Sequence, residues 1–151
     1  MAVWHRIRIA DITKENWCET AQLRVSEEQT EIYPVPVVYW LAESKFETHF
    51  CPKAIYKDDE MNGFLVYCLD PDDGNYWLTT FMIDEKHQGN GYAKQAISVF
   101  LTYMKEKYGA DKIKLGHRSE NAAAASLYEK MGFHETGERI GGEIIRCYRF
   151  Q

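Results

Sequence analysis

The chain has 151 residues, 45% of them apolar and 27% charged, with a formal net charge of −5 at pH 7. This is the composition of a soluble globular protein, with enough chain for one domain and a sizeable core. The acidic balance argues against nucleic acid as the main partner, and with no apolar run near the roughly 20 residues of a membrane span and no secretory leader, a cytoplasmic domain with no membrane partner is expected.

The elements follow in chain order. Trp4–Ala10 alternates and reads as a first strand. Asp11 or Thr13 caps a helix running to about Leu23. Ser26–Pro36 is a polar connector carrying Glu27, Glu28 and Glu31, and Pro34 and Pro36 mark the approach to a second helix, Val37–Phe46. Phe50–Tyr56 and Gly63–Leu69 are strands joined by a Lys57–Asn62 turn; Pro71–Asn75 is a second turn, and Tyr76–Ile83 the next strand. From about Asn90 to Tyr108, Ala93, Ala96, Ile97, Phe100, Leu101, Met104 and Tyr108 form one apolar stripe of helical period, which Gly109 ends. Lys112–His117 is a strand. Asn121 N-caps a short helix closed by Gly132, and Phe133–Glu138 with Glu143–Phe150 makes a hairpin around Gly141-Gly142. Cys18, Cys51, Cys68 and Cys147 have no C-x-x-C spacing and are expected to stay reduced. The five histidines lack metal spacing, so no metal is expected.

Gln88-Gly89-Asn90-Gly91-Tyr92-Ala93 opens the long helix directly after a buried strand. Backbone N–H groups at a helix start lack intrahelical partners, and the helix dipole makes that end positive. Glycines there let an anion approach, so the junction is suited to phosphate. A dinucleotide loop would want a third glycine where Lys94 stands, and a nucleoside triphosphate loop would want G-K-[ST], which is absent. A plain turn is the remaining alternative.

The second motif is Asn121-x6-Tyr128-x-Lys130-x-Gly132-Phe133. Asn121 and Tyr128 are seven apart and lie along one helix face. With Q-G-N-G-Y-A before it and a strand between, this pattern resembles the GCN5-related N-acetyltransferase (GNAT) family, well from Tyr76 to Phe150 and loosely before that. The segment W-L-x-x-F-x-I-D-x-x-x-Q-G-x-G, Trp77 to Gly91, looks most like bacterial diamine and polyamine (spermidine/spermine) acetyltransferases.

The resemblance implies an α/β (α+β) fold: a mixed, mostly antiparallel sheet with helices on both faces, whose parallel strands Tyr76–Ile83 and Lys112–His117 splay apart. It implies that acetyl-coenzyme A (acetyl-CoA) is the cosubstrate. Its pantetheine arm would pair with the backbone of Phe81, Met82 and Ile83, and its pyrophosphate would rest on Gly89, Asn90, Gly91, Tyr92, Ala93 and Lys94. Gln88 stands where the family often has Arg, and Asn121 would also touch the pantetheine arm. Tyr128 is the expected general acid toward the leaving thiolate, and a backbone N–H near Met82 the expected oxyanion donor. Thr79 occupies a position that is often acidic in polyamine acetyltransferases. The amine proton would instead leave through water to Glu28, Glu31, Asp84 or His117. Glu27, Glu28 and Glu31 are the expected contacts to a cationic small-molecule amine, a polyamine first among several possible acceptors. A homodimer through Glu143–Phe150 is possible. A non-catalytic acetyl-CoA-binding module and a nucleotide-binding protein are the alternatives from other classes.

Overall fold

A computed structural model describes residues 7–26 and 35–151. Among these residues the elements are β1 (Ile7–Asp11), α1 (Trp17–Ala21), α2 (Val37–Phe46), β2 (Phe50–Lys57), β3 (Glu60–Leu69), β4 (Tyr76–Ile83), α3 (Tyr92–Tyr108), β5 (Lys112–His117), α4 (Ala122–Lys130), β6 (His134–Ile140) and β7 (Glu143–Arg149). Seven strands form one sheet in the order β1-β2-β3-β4-β5-β7-β6. β4 and β5 are parallel; the other neighbours are antiparallel. α3 is the right-sized crossover between β4 and β5.

β3 is buried on both faces, which is why its sequence reads as a nearly continuous apolar run. Leu65 and Tyr67 face the core that holds Ala96, Ile97, Phe100, Leu101 and Met104 of α3. Phe64 and Val66 point the other way, with Met82 and Val37 of α2. Ile97, Phe100 and Met104 are fully enclosed, and each such side chain stabilises the fold by about 1.5–3 kcal/mol. Gly63 of β3 has no room for a side chain, because a Cβ there would stand 2.6 Å from the Met82 carbonyl.

The first helix is shorter than expected. The Asn16 side chain accepts from the Thr13 N–H at 2.8 Å and donates to the Asp11 carbonyl at 3.0 Å. Those bonds hold residues 13–16 in a turn, so helix begins only at Trp17. The β2–β3 turn is tighter than expected: Lys57 pairs directly with Glu60, and Asp58 takes a positive φ of 54°. α3 starts at Tyr92 rather than Asn90, because Gly91 is left-handed at φ 77°. β4 and β5 have their expected bounds, and Gly109, also left-handed, ends α3.

Candidate functional site

β4 and β5 pair only over Tyr76–Ile113, Trp77–Lys114 and Leu78–Leu115. The parting coincides with a bulge on the other side of β4. Val66 of β3 pairs with Thr80 and Tyr67 with Leu78, so Thr79 is an extra residue with no partner. A bulge bends its strand and increases the local twist. Here it carries Thr80–Ile83 away from β5 and opens the sheet from one face to the other.

On the α3 side of this opening lies a cavity of ≈ 380 Å³. One wall is Phe81, Met82 and Ile83, the end is Gln88, Gly89 and Gly91 with the first turn of α3, and the far wall is Asn121, Ala124 and Tyr128 of the α4 region. Gly89 and Gly91 have φ values of 82° and 77°, and a Cβ on either would meet no atom of the described residues within 4 Å. The room beside them is therefore open to a ligand. Among the described residues no side chain caps the N-terminus of α3, so the amides of its first turn are available as donors. The contrast is α4, where Asn121 Oδ1 accepts from the Ala124 N–H at 3.1 Å.

The loop residues differ in where they point. Lys94, Tyr92 and Ala93 line the cavity, and so does Gln88, whose amide donates to the Ile83 carbonyl at 2.9 Å. Asn90 does not line it. Its side chain turns back to donate to the His87 carbonyl at 3.1 Å and so tightens the loop. His87, Ala123 and Leu127 complete the walls. Nothing but their nearness to the motifs marks them in the sequence.

Tyr128 is 7% exposed and sits where the opening crosses the sheet. Its ring centroid lies 6.2 Å from His117 and 5.7 Å from Phe133. A buried arginine fixes this assembly. Arg146 of β7 donates from Nε to His117 Nε2 at 2.9 Å and from Nη1 to the Phe133 carbonyl at 2.9 Å, and it pairs with Glu129. That guanidinium, with His134 beyond it, holds the Glu129 carboxyl below its usual value. His117 Nδ1 donates to the Arg118 carbonyl at 2.9 Å. Both ring nitrogens of His117 are thus engaged, with Nε2 as the acceptor. Asp84 is likewise committed: it is buried and accepts from the Arg24 N–H at 2.7 Å.

The opposite face holds a second cavity of ≈ 290 Å³. It shares Phe81, Asn121, Ala124 and Tyr128 with the first, so the two meet across the strand opening. Its other walls include Trp40 of α2, Thr79 and Thr80 of the bulge, Arg118 and Glu143 of β7. The sequence reading missed Trp40 and Glu143 as site residues, since they come from distant elements that only the sheet order brings together. Glu27, Glu28 and Glu31 lie outside the described residues.

A sheet parted between parallel strands has an anion-suited loop on one side and a second cavity on the other, so two ligands could meet across the opening. Comparison with known proteins fixes the class. The acetyltransferase (GNAT) family profile matches residues 9–133. The spermine/spermidine N(1)-acetyltransferase of Bacillus subtilis is 30% identical over 138 residues, covering 87% of this chain and 90% of that protein. The chain belongs to the GNAT family and is an N-acetyltransferase. The fold is shared with the spermidine N-acetyltransferase of Vibrio cholerae solved with CoA and spermine (TM-score 0.74, 16% identity, 93% of this chain and 92% of that one). It is also shared with the aminoglycoside acetyltransferase AAC(6')-Ib solved with coenzyme A (TM-score 0.79, 13% identity, 95% of each chain).

Arg146→Met should destabilise the fold. It keeps the apolar stem but leaves His117 Nε2 and the Phe133 carbonyl without their donor, and each unsatisfied buried group costs about 1–3 kcal/mol. Urea unfolding should show a loss of about 2 kcal/mol or more, with the denaturant slope unchanged. An unchanged midpoint would mean that water replaces the guanidinium.

Proposed function

We propose that this enzyme transfers the acetyl group of acetyl-CoA to a primary amine of a polyamine such as spermidine or spermine, by direct attack within a ternary complex. The observation that carries this reading is the meeting of the two cavities at Tyr128, Asn121 and Phe81. One side suits a long anionic donor, the other an acceptor, and only the strand opening lies between.

The donor fits the first cavity. The open room beside Gly89 and Gly91, the uncapped amides from Tyr92 to Lys94 and the Lys94 ammonium suit a pyrophosphate. The β4 backbone, released from β5 after Leu78, offers N–H and C=O groups to an extended amide chain. The bound thioester supplies the activated acetyl group. Toward it this chain's residues hold, polarise and protonate. A β4 amide near Met82 donates to the carbonyl oxygen as negative charge develops there. The nitrogen–carbon bond forms as the carbon–sulfur bond breaks, and Tyr128 gives its phenolic proton to the departing sulfur. The amine loses its proton to water in the second cavity, where Thr79 and Thr80 can order that water. His117 orients Tyr128 in this scheme and is not the base. We place the reaction in the cytoplasm, where the four free cysteines stay reduced.

An amine panel read as free thiol released tests the assignment. Spermidine and spermine should turn over faster than aminoglycosides, amino acids or peptides. Equal or better turnover of a peptide amine, whose carboxylate Arg118 would favour, would remove the polyamine assignment and leave the enzyme class intact.

Tyr128→Phe should leave acetyl-CoA affinity unchanged and lower turnover by about 10²–10⁴-fold, the usual worth of a positioned proton donor. Unchanged turnover under conditions where chemistry limits the rate would make Tyr128 a packing residue.

Gly91→Asp separates the phosphate cradle from the helix it opens. Asp tolerates a positive φ, and its charge suits a helix N-terminus. Its carboxylate would nevertheless occupy the cradle. Acetyl-CoA affinity by calorimetry should fall at least about 100-fold, the equivalent of two lost charge-assisted bonds. Circular dichroism and the weak binding of pantetheine, which lacks the pyrophosphate, should barely change. Full affinity in the folded variant would reduce the loop to a turn.

A further inference from the structure

Glu143 opens β7 beside the β6–β7 turn, far from every sequence motif. Its side chain lies flat on β5. A Cβ built on Gly116 would stand 3.1 Å from Glu143 Oε1 and 3.5 Å from its Cβ. A glycine at 116 is therefore what gives this carboxylate its seat. The seat is at the point where the second cavity joins a third of ≈ 300 Å³, the two sharing Leu78, Thr79, Gly116 and Glu143. The third cavity continues over Phe50 and Trp77 to Asp70 at the end of β3. Among the described residues no lysine, arginine or histidine pairs with Glu143 or Asp70; Asp70 Oδ1 accepts from the Asp72 N–H at 2.8 Å, and Arg118, which shares the second cavity with Glu143, lies 3.9 Å from Glu120. Lys114, the next residue along this face of β5, is held by Glu138 at 3.1 Å and keeps its ammonium 5.7 Å from the Trp77 ring, at the edge of this cavity.

The result is a groove that starts at Tyr128, passes one carboxylate partway along, has an aliphatic and aromatic floor, and ends at a second carboxylate. That order of groups complements a linear molecule with spaced ammonium groups and methylene segments between them. We infer that Glu143, seated on Gly116, binds an ammonium of the acceptor other than the one being acetylated, and that the cavity beyond it holds the rest of the chain, out to Asp70. This rests on the amine-acceptor reading above and names the residues that select within that class.

The test is steady-state kinetics of the full-length enzyme with spermine, spermidine and n-butylamine, at saturating acetyl-CoA. Glu143→Gln keeps shape and removes charge. It should raise KM for spermidine and spermine about tenfold or more, the worth of one charge-assisted bond. It should leave kcat, the KM for acetyl-CoA and the rate with n-butylamine within about twofold. Asp70→Asn should raise KM for spermine more than for spermidine. Gly116→Ala, checked for folding by circular dichroism, should reproduce the Glu143→Gln kinetics with the carboxylate still present. Polyamine turnover by the wild type with an unchanged KM in Glu143→Gln overturns this inference alone. Absence of polyamine turnover by the wild type overturns the assigned reaction, and this inference with it.

Discussion

The parting of β4 from β5 is the constraint on which the rest of the molecule depends. Two parallel strands that separate after three residue pairs leave backbone groups unpaired in the middle of a sheet, which a folded protein tolerates only where something else satisfies them. β5 keeps its other partner, since β7 pairs with it along its whole length, from Lys112–Arg149 to His117–Ile144. β4 remains tied to β3 as far as Gly63–Ile83. At its end the Asp84 N–H donates to the Asn62 carbonyl at 2.8 Å, and Gln88 covers the Ile83 carbonyl. The two strands are therefore anchored on their outer sides and free on their inner ones. The inner β4 groups are the ones an extended donor would use, so the site is made from a break in the same hydrogen-bond ladder that makes the fold.

Once the strands part, their separation and contents must be held, and Arg146 does this from below. Its guanidinium connects β7 to His117 at the end of β5, to Glu129 on α4 and to the Phe133 carbonyl after α4. The Phe133 N–H in turn donates to the Tyr128 carbonyl at 2.8 Å. One buried cation thereby fixes the helix that carries Tyr128 relative to the strand edge it faces. A histidine at a strand end beside a reacting centre invites the role of base. Here Arg146 can only donate and so makes His117 Nε2 the acceptor, and in the reading proposed above the ring orients Tyr128.

Much of this was legible in the chain, for identifiable reasons. β4, β5 and α3 are long and strongly patterned, and their turn residues agree with their periodicity. The two motifs carried the loop, Asn121 and Tyr128, which the fold brings to one cavity. What was not legible depends on register and on distant contacts. The bulge at Thr79 exists only relative to β3, and nothing in T-T marks it. Asn16 shortened α1 through side-chain bonds that propensity does not count. Asn90 is expected in the cradle through its backbone; that its side chain bonds the loop's own backbone was not legible from its place between two glycines. Glu143 reaches the cavity of Trp40 and Arg118 because β7, not β6, lies beside β5.

Thr79, at a position where the family resemblance leads one to expect an acidic residue, has a physical reading once the groove is in view. A carboxylate beside an amine stabilises its protonated form and raises its pKa, yet the attacking nitrogen must be neutral. Binding charge and reacting nitrogen therefore conflict if they share a position. A second observation bears on this: the residues where the cavities meet, Phe81, Asn121, Ala124 and Tyr128, include no carboxylate. The acidic groups of the described acceptor side, Glu143 and Asp70, lie further along. In the reading proposed here an acceptor with several amines resolves the conflict, because one nitrogen carries the charge that Glu143 holds while another, facing hydroxyls and water, gives up its proton. A monoamine offers no such division. On this proposal the arrangement would favour polycations through where it withholds negative charge as much as through where it supplies it.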